Sequence, residues 1–353
     1  MRTNANKNII YSIILLLLVA VVYLYRQNQQ KPVEEIIEKV TGKVTLNGNT
    51  MGTTYNITYL DPSERDFKAS IDSLLLVFNQ SLSTYIPDSE LSRFNQSDTL
   101  FFKLPYFLPV LKSSKTVYEI TEGAFDPTVG PFVNLWGFGP TGPQLKDSVN
   151  IDAMLDLVGF NKISFDSASV KKTKPGMYLD FSAIAKGYGV DVVAEFLQGK
   201  GIENLLVEIG GELVARGVNE KGELWKVGIN RPEELGRADE LYSIVALENK
   251  GMATSGNYRN YYEAGGVKIS HTINPATGKP VNHGLLSATV LADDCMTADA
   301  YATAMMVMGT EKAIALQKTQ SLLEIFLIYS DSTGQLKSYA SEGIKPFLSF
   351  PQD

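Results

Sequence analysis

Residues 180–217 read DFSAIAKGYGVDVVAEFLQGKGIENLLVEIGGELVARG, and this stretch decides the fold class. Its first half reads as a helix from Asp180 to about Leu197, closed by Gly199 and Gly201, because glycine beyond the last turn is a common helix stop. Its second half, IENLLVEIGGELVARG (202–217), reads as a strand, a Gly-Gly turn and a second strand. Downstream, LWKVGINRP (224–232), LYSIVALENKGMATSG (241–256) and LLSATVLADD (285–294) add strands. Helices at 297–308 and 310–319 follow, with Gly309 between them, and LEIFLIYSDSTGQLKSYAS (323–341) reads as a hairpin around Ser-Thr-Gly. Strands and helices mix without strict βαβ alternation. This predicts an α+β fold with mixed or antiparallel sheets and packed helices rather than a doubly wound one.

Upstream, VTLNGNTMGTTYNITYL (44–60) reads as two strands around an Asn-Gly turn. Phe67, Ile71, Leu74, Leu75, Phe78 and Leu82 recur at helical spacing over 63–82, which predicts an amphipathic helix packed on the core. STYIPDSELSRFN (83–95) reads as a polar loop with a short helical turn, and 107–121 as a helix stopped by Glu122-Gly123. GAFDPTVGPFVNLWGFGPTGP (123–143) has no clean period and reads as an ordered, non-repetitive loop. Such a loop is either functional or a surface segment pinned by its aromatics.

The 353 residues suffice for one large core or two lobes, and 44% apolar with 20% charged residues is ordinary for a globular chain. A net charge of -7 argues against a general nucleic-acid binder. One cysteine, Cys295, rules out an internal disulfide and a cysteine-ligated zinc site, and two histidines make a multi-histidine metal site untenable. Ile9 to Tyr25 carries no charge, follows Arg2 and Lys7 and precedes Arg26. It is close to the lower length limit for a spanning helix, and neither a small-x-small cleavage site nor a lipoprotein cysteine follows it. The sequence therefore divides into an uncleaved anchor at 1–25, a polar linker at 26–43 and a folded, exported part at 44–350.

Two distant segments carry polar groups at helix starts: Asp180-Phe-Ser-Ala-Ile-Ala-Lys-Gly187 and Thr297-Ala-Asp-Ala-Tyr-Ala-Thr303. Ser182 and Thr297 are the expected N-caps, and Asp299 and Thr303, four apart, share a helical face. A carboxylate and a hydroxyl on one face suit magnesium only if a phosphate ligand completes the shell; otherwise Asp299 merely complements the helix dipole. Lys186 suits a phosphate, a pair with Asp180, or a solvated face. Gly187 and Gly189 cost the helix about 1 kcal/mol each, so something packs closely there. His271, in KISHTINP, suits either a general base near neutral pH or a cap on the Asn-Pro turn; His283 is the weaker candidate and Cys295 reads as a small core residue. There is no Walker loop and no G-x-G-x-x-G.

Taken in order, MGTTYNITY, STYIPDSELSRFN, GAFDPTVGPFVNLWGFGP, LDFSAIAKGYGVD, VEIGGEL, MATSGNYRNYY, SHTINPATGKPV and TADAYATAMMVMG resemble the ApbE family of FAD:protein FMN transferases, over about residues 45–340. The resemblance implies an ApbE-like, T-fold-related architecture. It implies FAD as substrate, magnesium as cofactor, and transfer of FMN to a threonine or serine hydroxyl of a partner protein with release of AMP. Matched position by position, Asp299, Thr303 and the carbonyl of Ala183 become metal ligands. Met51, Tyr85, Ala124, Phe125, Asp126, Asp180, Lys186 and Ile273 become FAD contacts, and His271 lies near the phosphates as the proton acceptor. Many relatives are lipoproteins; here the helical segment would take over anchoring, as a single pass in a bacterial inner membrane with the catalytic part on the periplasmic side. The family's usual acceptors imply a membrane electron-transfer partner, of the sodium-pumping quinone reductase or Rnf type. The same site could let water attack, giving an FAD pyrophosphatase. A tethered flavin-binding protein without turnover is the non-enzymatic alternative; Asp299, Thr303 and Lys186 argue against it.

Overall fold

Eight strands form an antiparallel sheet whose spatial order repeats their order along the chain. They are β1 (Lys43–Thr50), β2 (Thr53–Leu60), β3 (Leu205–Ile209), β4 (Glu212–Arg216), β5 (Gly251–Gly256), β6 (Leu285–Ala292), β7 (Glu324–Ser330) and β8 (Leu336–Ala340). The computed structural model describes residues 42–140, 150–232, 240–257, 261–264 and 267–351. The anchor expected at 1–25 lies outside the described residues, as does the linker up to residue 41. The principal helices are α1 (Lys68–Leu82), α2 (Phe107–Ile120), α3 (Ala185–Gly199), α4 (Cys295–Met308) and α5 (Thr310–Thr319). The expected α+β class with antiparallel sheets is thus the one observed.

The centre of the sheet is covered on both faces. Along β7 the side chains split by period two: Ile325 and Leu327 join a core with Ala298, Ala300 and Met305 of α4, while Phe326 and Ile328 join a second core with Trp225, Val245 and Leu247. The second core belongs to a small sheet of Leu348–Ser349, Leu241–Leu247 and Trp225–Asn230. All of β6 is buried, so its sequence, LLSATVLA, shows no clean alternation. Helix α4 is buried on nearly every side, which is why it is apolar almost throughout, with Asp299 the charged exception.

Three local expectations change. The β1–β2 turn is Met51-Gly52, both with positive φ (50° and 72°), as a two-residue hairpin turn requires. Asn47-Gly48 lies inside β1, where a Cβ on Gly48 would stand 2.6 Å from the Tyr55 ring; the glycine makes room for an aromatic rather than for a turn. Neither Ser182 nor Thr297 is an N-cap. The Ser182 N–H and hydroxyl both donate to Asp180 Oδ1 (2.8 and 2.6 Å), and α3 starts only at Ala185 without a side-chain cap. Asp294 caps α4: its Oδ1 accepts the Thr297 N–H at 2.7 Å and its Oδ2 the Thr297 hydroxyl at 2.9 Å. In both places an acceptor-only carboxylate upstream captures the hydroxyl that the sequence offers as a cap. Finally, the stretch at 123–143 is partly helical, with a 3-10 turn at Pro127–Val129 and a short helix at Gly130–Leu135. Asp126 starts it, accepting the Thr128 N–H at 2.8 Å ahead of a proline suited to a first helical turn.

Candidate active site

Helices α3 and α4 touch backbone to backbone. A Cβ on Gly187 would lie 2.3 Å from the Cys295 carbonyl oxygen and 2.8 Å from Asp299 Cβ. The Gly187 N–H donates to Asp299 Oδ2 at 3.0 Å. Farther along α3, Asp191 accepts from the Cys295 and Met296 N–H groups (2.9 and 2.7 Å), so a side chain of one helix ties down the first turn of the other. Burial pushes the Asp191 carboxyl up to about 7. On the opposite side, a Cβ on Gly189 would stand 2.5 Å from Met51 Cε. The two glycines are therefore the close-packing positions their helix cost predicts.

This joint forms one wall of a cavity of about 730 Å³. Ala183, Lys186, Asp299 and Thr303 line it from the two helix starts. Ala124, Phe125, Asp126 and Phe138 line it from the 123–140 stretch, which is thus part of the site; Asp180 lies below them, and Glu212 enters from β4. Thr254, Ser255 and Gly256 come from β5, and His271 and Ile273 from the connection between β5 and β6. The volume suits a ligand of cofactor size. Of the expected site residues, Met51 and Tyr85 stand outside this lining. Met51 sits at the hairpin tip against Gly189, and Tyr85 is 67% exposed, near enough to Asp180 for that carboxylate to help burial raise its phenol pKa.

The electrostatics centre on Lys186. Its ammonium pairs with Glu212 Oε1. Burial pushes the lysine down, but the Glu212 and Asp299 carboxylates outweigh it and hold it above its ordinary value. Burial raises both Glu212 and Asp299, and Lys186 opposes the rise in each. Glu212 is 4% exposed, and its Oε2 has no hydrogen-bond partner among the described residues. Sequence reasoning missed Glu212; its signal is a charged residue directly after Gly210-Gly211, at the head of a strand whose next three residues, Leu213, Val214 and Ala215, are apolar. Asp126 is pushed up to about 6 by burial, against the hydrogen bonds from Thr128. The Ser255 and Thr303 hydroxyls lie 3.2 Å apart, which fixes the orientation of Thr303. His271 meets the Phe138 ring edge-on, with centroids 6.1 Å apart. His283 is structural: its Nδ1 accepts from the Leu285 N–H at 3.3 Å, and its Nε2 bonds the Met306 carbonyl at 2.9 Å. Cys295 is buried, its thiol directed at the Met252 carbonyl.

Asp299 and Thr303 bring a carboxylate and a hydroxyl to this wall, Glu212 adds a buried carboxylate oxygen without a partner among the described residues, and Ala183, which also lines the cavity, has a backbone carbonyl to offer. An all-oxygen set with excess negative charge fits a hard divalent cation such as magnesium, which prefers oxygen and typically takes one or two carboxylates.

Residues 51–327 match the model of the ApbE family. The chain is 43% identical to the FAD:protein FMN transferase of Vibrio cholerae over 320 residues, covering 88% of this chain and 95% of that one. It is 41% identical to the protein of the same name from Haemophilus influenzae over 317 residues, covering 85% and 91%. Among solved structures, the flavin transferase ApbE from Vibrio cholerae superposes with a TM-score of 0.77 at 41% identity, covering 86% of this chain and 99% of that chain. The apo form of the Pseudomonas stutzeri flavinyl transferase ApbE gives 0.78 at 32%, covering 86% and 96%. A family match across most of the folded part, with the fold and the cavity now described, shows that this chain belongs to the ApbE family.

Proposed function

We propose that this chain transfers the FMN half of FAD to a serine or threonine hydroxyl of a partner protein and releases AMP. The observation that carries this reading is the convergence in one cavity of Ala124–Asp126, Asp180, Ala183, Lys186, His271, Ile273, Asp299 and Thr303, drawn from segments far apart in sequence. Asp299, Thr303 and the Ala183 carbonyl would hold magnesium, which supplies charge neutralisation at diphosphate oxygens. Lys186 adds a positive charge toward the phosphorus where negative charge builds during attack. His271, as neutral imidazole, accepts the proton of the incoming hydroxyl. Phe125, Phe138 and Ile273 supply apolar surface for a flat ring system.

The test is incubation of the full chain with FAD, magnesium and a candidate acceptor, followed by intact-mass and peptide analysis of the acceptor. One added FMN on a serine or threonine is expected, and Asp299→Ala should abolish it. Full transfer by Asp299→Ala would remove the metal role. AMP release of equal rate without any acceptor would point instead to a pyrophosphatase. For His271, the rate-against-pH profile should lose its acidic limb in His271→Ala; an unchanged profile assigns the proton to another group.

The apolar run at 9–25, outside the described residues, supports a single-pass membrane anchor, and the resemblance to exported relatives supports a catalytic part on the periplasmic side. Among the described residues no helix is long and apolar enough to cross a membrane. An acceptor in a membrane electron-transfer complex, of the quinone reductase or Rnf type, accords with that placement. Protease added outside spheroplasts should then digest the folded part while the membrane retains the N-terminus; protection of the folded part would overturn the orientation.

A further inference from the structure

Three side chains in the cavity wall form one charged cluster: Lys186, Glu212 and Asp299. Glu212 spends one carboxylate oxygen on Lys186, and the other is buried without a partner among the described residues. Asp299 spends one oxygen on the Gly187 N–H. With both acids ionised, two carboxylates face one ammonium, so the cluster retains an uncompensated negative charge beneath the surface. Leaving a charged acceptor buried and unbonded is costly: without a ligand the acid takes up a proton, the direction in which burial pushes both Glu212 and Asp299, and with one the cost is relieved by a donor or a positive charge. A hard cation relieves both deficits at once. A phosphate cannot, since it would add negative charge beside the open oxygen. The three ligands expected for magnesium include a single carboxylate, which leaves binding dependent on phosphate oxygens from the substrate.

We propose that Glu212 is a second carboxylate ligand for the divalent cation, shared between that ion and Lys186. This takes the cation from the functional reading above but makes a separate claim: with two carboxylates, a carbonyl and a hydroxyl, the site binds the ion before any flavin arrives. Lys186 competes with the cation for Glu212, and an ammonium released from that pair is available to diphosphate oxygens.

The experiment is calorimetric titration of the full chain with magnesium chloride, without FAD or acceptor, alongside the magnesium-induced infrared difference spectrum of the carboxylate stretches. The wild-type chain should bind one ion and show two perturbed carboxylates. Glu212→Gln should weaken binding by about tenfold or more and delete one set of carboxylate bands, while Asp299→Asn deletes the other. Lys186→Met should tighten binding, and the double variant Lys186→Met with Glu212→Gln should bind more weakly than Lys186→Met alone. That double variant also removes the ion pair as a unit, so the comparison stands if Glu212→Gln alone does not fold. No binding by the wild-type chain, unchanged affinity in Glu212→Gln, or weakened affinity with both sets of bands retained would each overturn the proposal. None of these readouts requires FMN transfer, so a failure of the transferase reading is seen separately.

Discussion

Gly187 shows how one missing methyl group decides a site. Its Cα hydrogen faces the Cys295 carbonyl and the Asp299 side chain, so the residue that brings the helices together also places the N–H that bonds Asp299. Gly187→Ala puts a carbon 2.3 Å from a backbone oxygen that cannot rotate away. Overpacking of this kind costs about 1–3 kcal/mol. Urea unfolding should show that loss, together with weakened cation binding. Gly189→Ala instead meets the flexible end of Met51, which can turn aside, and should cost less. Equal losses at the two positions would mean that the helix–helix contact has no special role. Most of the site residues lining the cavity were legible because they fall in the quoted motifs. Glu212 falls in one of them too, VEIGGEL, yet was not singled out, because in sequence it is one glutamate beside a glycine pair; only the sheet carries it next to Lys186. Asp191 was hidden in the same way inside VDVVA, where a buried acid and a solvated one read alike.

Secondary elements were legible and their ends were not. Helical periodicity gave α1, polar starts and glycine stops gave the existence of α3 and α4, and apolar runs between turn residues gave most strands of the sheet. The start of α3 was misread because Asp180 holds Ser182 upstream and the helix begins at Ala185 with no side-chain cap, and that of α4 because neighbouring polar side chains compete for the same backbone N–H groups and the outcome depends on which has the extended backbone of a cap. For α4 that residue is Asp294, with φ and ψ of -129° and 158°. Asp294→Ala should therefore destabilise the protein by about 1 kcal/mol, through the lost cap of a helix that carries Asp299 and Thr303. Thr297→Ala keeps the capped N–H and should cost less. The melting temperatures of the two variants check this, and the reverse order would restore Thr297 as the cap.

At the scale of the whole molecule, the proposed site gathers from three connections of the sheet: that between β2 and β3, that between β5 and β6, and the helices after β6. A ligand that touches all three should stabilise the fold as a unit. FAD with magnesium, at a hundredfold excess over its Kd, should add about 2.7 kcal/mol to unfolding and raise the melting temperature accordingly. FAD with a chelator should recover only part of that shift; the same shift with and without the ion would separate magnesium from flavin binding. The order of the strands was not legible, because a period-two pattern says that a strand has a partner but not which one.

That order has a consequence for how the protein is made. Strands β1 and β2 are synthesised early, yet the strand that β2 pairs with starts only at Leu205. Until then the open side of the hairpin, carrying Tyr55, Ile57 and Tyr59, presents unpaired amides and apolar side chains. Synthesis order thus leaves these residues waiting, and a holding chaperone has its best opportunity in that interval, before β3 and β4 emerge to close the seam.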